Sequence, residues 1–246
     1  MLVDLKTSDV RAALTLVYDA GTYGGEDPLP RPFLAGLTEL IPADVLVGYN
    51  EVDLKRPWRV VNRVEIPVEG VPDNIQRDAK PFCPEDPLQN AVRRGEPRAL
   101  KLSDFLTRSS MQKLAFYDAV WKRLGINDSL RVWLPAPPGR AGAVYLERSS
   151  RDFSERDRSL LQALRPSLIR IVERADRRGQ EDVARVLTAR EREILRAIAS
   201  GQTTPEIAER LVVSPHTVRK HVENILEKLG ARTRSEAVAR AADALF

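Results

Sequence analysis

Residues Leu187–Phe246 read LTAREREILRAIASGQTTPEIAERLVVSPHTVRKHVENILEKLGARTRSEAVARAADALF, and the reading of this stretch organises the rest of the chain. Its first segment, about Ala189 to Ser200, repeats Ile194, Leu195 and Ile198 at helical spacing. Thr188, with Glu191 three residues on, makes a capping box, and Gly201 stands where a left-handed C-terminal residue is wanted. A second segment starts near Thr204 with Pro205 in its first turn, where a missing N–H costs nothing, and turns Ile207, Ala208 and Leu211 inward. Val212-Val213-Ser214 is a tight break, Ser214 is the next N-cap and Pro215 again opens a helix. This third segment, about 214–229, places Val218, Val222, Ile225 and Leu229 on one stripe and His216, Arg219, Lys220, Glu223 and Glu227 on the other face. Gly230 ends it, and an Ala-rich fourth helix follows from about Ser235 to Leu245.

Two short helices joined by a tight turn, the second with a polar and basic outer face, are the geometry of a helix-turn-helix that enters a major groove. Three small amphipathic helices also occur in proteins that never meet DNA, so spacing alone leaves DNA binding and protein scaffolding side by side. Bulk charge does not separate them. The segment holds ten Arg or Lys against eight Asp or Glu, a net excess of two. DNA affinity would rest on where the cations sit.

Four pieces of the segment carry a resemblance: Leu187-Thr188-x-Arg190-Glu191-x-Glu193-Ile194-Leu195, Ile207-Ala208-x-x-Leu211, Val213-Ser214-x-x-Thr217-Val218-x-x-His221, and Ile225-x-x-Lys228-Leu229. Together they resemble the C-terminal DNA-binding domain of LuxR-type (GerE-type) bacterial transcriptional regulators, over roughly the last quarter of the chain. The resemblance implies an all-α four-helix domain over 187–246, a third helix reading the groove and a fourth supporting a homodimer. Carried over by position, it puts Arg219, Lys220 and Glu223 at base edges and Thr204, Ser214, Thr217, His221 and Lys228 at phosphates. Arg219 and Lys220 suit guanine O6 and N7, and Glu223 suits cytosine N4. Plainer roles stand beside these: Glu223 pairing with Arg219 one turn away, His221 packed at the helix flank, and Lys228 a solvated lysine at a helix C-terminus.

At 246 residues the chain is long enough for two ordinary domains, and its net charge of +4 does not describe a basic disordered arm. No apolar run approaches the roughly 18 residues of a membrane span, and the opening MLVDLKTSDVRAAL lacks the pattern of a signal peptide. With a single cysteine, Cys83, no internal disulfide forms, so a cytoplasmic protein without membrane contact is expected. Both histidines, His216 and His221, lie in the third helix of the tail. Their absence upstream removes His-dependent nucleophiles, His-ligated haem and most zinc sites from the first 215 residues. No cofactor, metal or catalytic residue is expected, and no enzyme.

Upstream, Ser8 to Tyr18 reads as a helix with Val10, Ala13, Leu14 and Val17 inward, and Pro32 to Ile41 as a second. Ala43–Glu51 and Trp58–Val68 read as a hairpin, Val71–Pro87 with its four prolines as a loop with room for one short helical turn, and Asp86-Pro87-Leu88 as a helix start. Leu100–Leu102 reads as a short strand, Ser103 and Ser109 as N-caps of two helices, the second reaching Leu124. Strands at Leu130–Pro135 and Ala141–Glu147 precede a long helix capped by Arg151-Asp152-Phe153-Ser154. The class is therefore α+β, an antiparallel sheet with flanking helices. The element order, and the run from Gly142-Ala143-Val144 to Asp152-Phe153-Ser154-Glu155-Arg156-Asp157, resemble a GAF domain or the related PAS-like fold. That resemblance implies a sensor domain over 1–175, followed by a linker at 176–186. Leu161, Leu164, Leu168, Ile171 and Ala175 step at heptad spacing, which fits either packing on the sheet or a parallel dimer helix.

A GAF-like fold implies a small-molecule pocket. The candidate liners are Tyr49, Trp58, Phe82, Phe105, Phe116, Tyr117, Trp121 and Trp133, each of which is equally a core aromatic. Cys83-Pro84 presents a thiol, as an axial haem ligand or oxidant sensor would, beside acidic Glu85 and Asp86, which raise its pKa. Asp86-Pro87-Leu88-x-x-Ala91 bears a faint likeness to acyl-homoserine-lactone domains of quorum-sensing LuxR relatives, but the Trp and Tyr of that pattern fall on Asp73 and Arg77. The strand and acidic pattern of a phosphorylated receiver and the GxxxxGK[ST] loop of ATP-dependent relatives are both missing. The expectation is a regulator with double-stranded DNA, a second copy of itself, a small-molecule effector and RNA polymerase as partners. The competing expectation is a ligand-binding or enzymatic module whose C-terminal helices scaffold other proteins.

Overall fold

The computed structural model describes residues 5–20, 27–56, 59–67, 71–93, 96–150 and 152–245. It forms two compact units, one up to Val172 and one from Glu173 onward.

The first unit opens with α1 (Thr7–Ala20) and α2 (Arg31–Leu40), then the hairpin β1 (Leu46–Asp53) and β2 (Val60–Ile66). Next come α3 (Asp73–Ala79), a 3-10 turn (Lys80–Glu85), α4 (Pro87–Arg93), β3 (Leu100–Lys101), a second 3-10 turn (Leu102–Asp104) and α5 (Arg108–Met111). A π-helical turn (Tyr117–Trp121) runs into α6 (Lys122–Leu124), and β4 (Asp128–Leu134) and β5 (Arg140–Arg148) complete the sheet before α7 (Glu155–Val186). The five strands are antiparallel in the order β2-β1-β5-β4-β3.

Both faces of this sheet are covered, and they differ in chemistry. Val47, Tyr49, Val64, Val132, Val144 and Leu146 share one face and pack on Leu16, Phe33, Leu37, Leu161, Leu164 and Leu168 of α1, α2 and α7. That is the large apolar core. The alternate residues Glu65, Ser129, Tyr145 and Glu147 are also buried, but toward α3–α6. Gly48 lies in register between Glu65 and Tyr145. A Cβ there would come within 2.7 Å of the Tyr145 hydroxyl and 2.8 Å of Glu65 Cγ, so glycine lets these two side chains meet across β1.

Several sequence expectations are corrected. α1 is turned partly from its expected face: Ala13 and Val17 pack on the core as expected, but Val10 and Leu14 are 44% and 65% exposed, while Leu16 and Ala20 are buried. Two contacts explain the rotation. Leu16 fills the space beside Gly36 of α2, and Asp9 is drawn into an ion pair with Arg156 of α7 at 2.7 Å. Residues 71–87 are largely helical, because Pro72, Pro81 and Pro87 all sit at helix starts, where proline is tolerated. Thr107, not Ser109, caps α5, accepting from the Ser110 N–H at 3.2 Å, and the helix expected to reach Leu124 is interrupted after Met111. Ser103 is no helix cap; its N–H and hydroxyl both donate to buried Asp128 at 3.0 Å. Ser154 does cap α7: its hydroxyl accepts from the Asp157 N–H at 3.1 Å, and Asp157 accepts from the Ser154 N–H at 2.9 Å. Of the heptad positions, Leu161, Leu164 and Leu168 lie in the core of their own sheet. α7 continues through the residues assigned to a linker, as far as Val186.

The second unit contains α8 (Ala189–Ala199), α9 (Thr204–Leu211), α10 (Pro215–Lys228) and α11 (Arg234–Leu245). Leu187, Ile194, Leu195, Ile207, Val218, Val222, Ile225 and Ala237 make its core.

Candidate nucleic-acid interface and ligand cavity

The seating of α10 follows from local chemistry. Thr188 and Glu191 form the expected box at the start of α8, with the Thr188 N–H donating to Glu191 at 2.7 Å. Thr203 and Glu206 form a second box at α9. The break between α9 and α10 is made by Val212 in the left-handed region, φ 54°, ψ 47°, with its side chain 90% exposed. Ser214 then caps α10, accepting from the Thr217 N–H at 3.0 Å.

Long-range arginine contacts hold these helices together, and sequence spacing did not show them. Arg190 of α8 donates to the Leu211 carbonyl at 2.8 Å, fixing the C-terminal end of α9. Arg240 of α11 does the same at the end of α10 through the Leu229 carbonyl, also at 2.8 Å. Arg234 donates to the Thr204 hydroxyl at 2.8 Å. Lys228 donates to both oxygens of Glu191 at 2.9 and 2.7 Å, and Glu191 is only 3% exposed. Burial pushes the Glu191 carboxyl up, but Lys228 and the Thr188 cap outweigh it and hold it below the usual carboxylate range.

The proposed DNA-facing residues therefore fall into two groups. Arg219, Lys220 and Glu223 are exposed on α10, and among the described residues none of the three side chains has a hydrogen bond or ion pair. The Arg219–Glu223 pairing weighed from spacing is not formed. Thr204 and Lys228 already have intramolecular partners, Ser214 and Thr217 share the helix cap with their hydroxyls 2.8 Å apart, and His221 is half-buried.

In the first unit a cavity of about 140 Å³ lies between the polar face of the sheet and α3–α6. Phe116 and Trp121 line it, in edge-to-face contact at 4.8 Å. Tyr49 is on the opposite face of the sheet, Trp133 packs with Val52, Ala141 and Ala143, and Phe82 packs beside the cavity without lining it. Phe105 is 40% exposed, and Tyr117 packs in the same cluster as Phe82. Trp58 lies outside the described residues.

What sequence reading missed is the charged part of the wall. Arg131 reaches Asp86 at 3.3 Å and Glu147 at 3.4 Å. Glu65 pairs with Arg63 at 3.3 Å, accepts from the Val71 N–H at 3.2 Å and is bonded by the Tyr145 hydroxyl. One guanidinium, that of Arg131, thus faces two buried carboxyls. Asp86 also accepts from the Leu88 N–H at 2.9 Å, while burial pushes Glu147 up to about 8 against the pull of Arg131 and Ser129. Cys83 lines the cavity too, and burial together with Asp86 pushes its thiol up to about 11, far from the thiolate an oxidant sensor needs. Among the described residues no cluster suits a metal ion, and no helix is long and apolar enough to cross a membrane.

An α+β unit with a walled cavity, joined to a capped helix-turn-helix, defines a class, and comparison with known proteins gives the family. The family "Bacterial regulatory proteins, luxR family" matches residues 185–241. The probable transcriptional regulatory protein NarL of Mycobacterium tuberculosis is 49% identical over 76 residues, 31% of this chain and 35% of that protein's length. Two relatives align over most of both chains. The nitrate/nitrite response regulator protein NarP of Escherichia coli is 32% identical over 85% of this chain and 87% of its own length. The monoamine regulon transcriptional regulator of Klebsiella aerogenes is 35% identical over 84% and 87%. The chain belongs to the luxR family of bacterial regulatory proteins. A solved structure of SdiA in complex with octanoyl-rac-glycerol shares the fold, with a TM-score of 0.50 and 19% identity over 98% of this chain and 97% of that one.

Proposed function

We propose that this chain is a sequence-specific DNA-binding transcriptional regulator in which α10 enters the major groove and the N-terminal unit receives the controlling signal. One observation carries the reading: Arg219, Lys220 and Glu223 stand exposed on α10 with no hydrogen-bond or ion-pair partner among the described residues, on a helix whose other face is locked into the core. Arg219 and Lys220 contact guanine edges and Glu223 a cytosine amine, while Thr204, Ser214, Thr217 and His221 lie toward the phosphates. Lys228 acts first as an anchor for α8. Two copies bind a two-fold symmetric operator with half-sites about one helical turn apart. A small-molecule effector of the N-terminal unit is supported by the walled cavity and by the relative solved with octanoyl-rac-glycerol bound.

The test is enrichment of genomic fragments by the full-length protein at stated salt, followed by the same measurement with Arg219→Ala. A symmetric site is expected, with the variant losing about 1–3 kcal/mol of affinity for it at an unchanged melting temperature. Full affinity in the variant would overturn the base-contact assignment.

A further inference from the structure

The first helix of the N-terminal unit is apolar on more sides than its own core covers. α1 packs inward through Ala13, Leu16, Val17 and Ala20. Beside that face Val10, Leu14 and Tyr18 repeat every four residues and stand in solvent, Tyr18 at 78%. At roughly 100° per residue the two sets join into one apolar arc of about 200°, against about 100° for a helix that lies on a single core. Six large apolar side chains are exposed among the described residues, and these three supply half of them on one helix. Single exposed apolar residues need no explanation, but a continuous stripe marks a contact surface.

Charge names the occupant. Arg11 stands exposed at the edge of the stripe with no hydrogen bond or ion pair among the described residues, while Asp9 is turned away to Arg156. A parallel copy of this helix would set Arg11 beside Arg11. An antiparallel copy, turned about an axis at Leu14, sets Leu14 on Leu14 and Val10 on Tyr18, and brings each Arg11 to the ring of a Tyr18. The stripe is therefore complementary to itself in one orientation. We propose that α1 is a self-association surface that pairs antiparallel with α1 of a second copy about a two-fold axis at Leu14. Two 14-residue helices, each about 21 Å long, bury well under the roughly 1,200 Å² at which standard interfaces begin. The contact thus adds to a dimer assembled on two half-sites and does not hold one alone. That use rests on the proposed operator binding; the contact itself does not, so its test is run without DNA.

Full-length Leu14→Cys, Val10→Cys and Tyr18→Cys are oxidised separately over a concentration series. Cys83 is buried, so the wild-type protein sets the background. Leu14→Cys should form a covalent dimer at least about tenfold faster than either other variant alone. In those two, like positions lie about 12 Å apart along the paired helices, beyond the roughly 7 Å between Cα atoms that a disulfide spans. Val10→Cys mixed with Tyr18→Cys should couple to each other. In sedimentation, Leu14→Lys should move the monomer–dimer midpoint at least about tenfold to higher concentration, at an unchanged melting temperature because Leu14 is exposed. Equal coupling at all three positions would mean random collision, and coupling of Val10→Cys or Tyr18→Cys to itself would mean a parallel pair; either overturns the proposal. An unchanged midpoint in Leu14→Lys, or no coupling in Leu14→Cys, overturns it as well, and binding to phosphatidylglycerol vesicles that Leu14→Lys abolishes would then give the face to a lipid surface. None of these outcomes bears on operator enrichment, which stands or fails on α10.

Discussion

The two units of this chain bury polar groups in opposite ways. In the C-terminal unit the buried set is almost wholly apolar, and the one buried carboxylate among its described residues, Glu191, is fully occupied by a helix cap and a lysine. In the N-terminal unit, Glu65, Asp86, Asp128, Ser129 and Glu147 are all buried around one sheet. The first arrangement makes a platform that keeps Arg219, Lys220 and Glu223 outside. The second keeps polar groups inside, where they raise the cost of any loss.

The sharpest break of this contrast is Asp128→Ala. Asp128 accepts four hydrogen bonds near 3.0 Å, from the Ser103 N–H and hydroxyl and from the Ser129 and Phe153 N–H groups, tying the β3–β4 corner to the start of α7. Its removal strands buried donors and should cost about 3–5 kcal/mol in chemical denaturation of the N-terminal unit. Retention of wild-type stability would show that these donors find other partners.

The next largest effect is pH-dependent. Glu147 takes up its proton far more readily folded than unfolded, so folded chains hold the extra proton between the ordinary 4.5 and about 8. Stability should therefore fall by a few kcal/mol as pH rises through that window and level off above it. Glu147→Gln should flatten this slope; an identical slope in the variant would show that Glu147 is ionised in the fold.

Smaller still, Glu191→Ala removes a cap and the Lys228 pair and should cost about 2 kcal/mol, because Lys228 itself stays 35% exposed and hydrated. The companion Lys228→Met separates anchor from phosphate contact. As an anchor it leaves the salt dependence of DNA binding unchanged, whereas a phosphate contact would lower the slope by about one. The smallest expected effect is a gain. Val212 is a β-branched residue held at φ 54° with its side chain in solvent, so Val212→Gly should stabilise the C-terminal unit by about 0.5–1 kcal/mol, read as a higher denaturation midpoint.

The same contrast explains what was legible. In the C-terminal unit helix periodicity, caps and turn residues are local, so Thr188, Gly201, Ser214, the Val218–Val222–Ile225 stripe and the exposed α10 face could all be read from the chain. The arginine clamps could not, because Arg190 meets Leu211 and Arg240 meets Leu229 through the fold and not through spacing. In the N-terminal unit the strands and the long helix were legible, and so was the α+β class. The cavity was not, because Glu65, Arg131 and Glu147 alternate with apolar neighbours as the solvent face of a half-exposed sheet would. Only the second layer of helices, α3–α6, turns that face into an interior, and its proline-rich start at 71–87 read as a loop. Aromatic content pointed to the cavity, but two of its candidates, Tyr49 and Trp133, belong to other clusters.

The unpartnered face of α10 has an evolutionary consequence. Among the described residues Arg219, Lys220 and Glu223 make no side-chain hydrogen bond or ion pair, so exchanging them changes folding stability by no more than about 0.5 kcal/mol. Most residues in a protein are constrained by neighbours that must change with them; these three are not. Under the proposed base readout, a lineage carrying this scaffold acquires new target genes by single substitutions on one helix, with capping, clamps and core left as inherited.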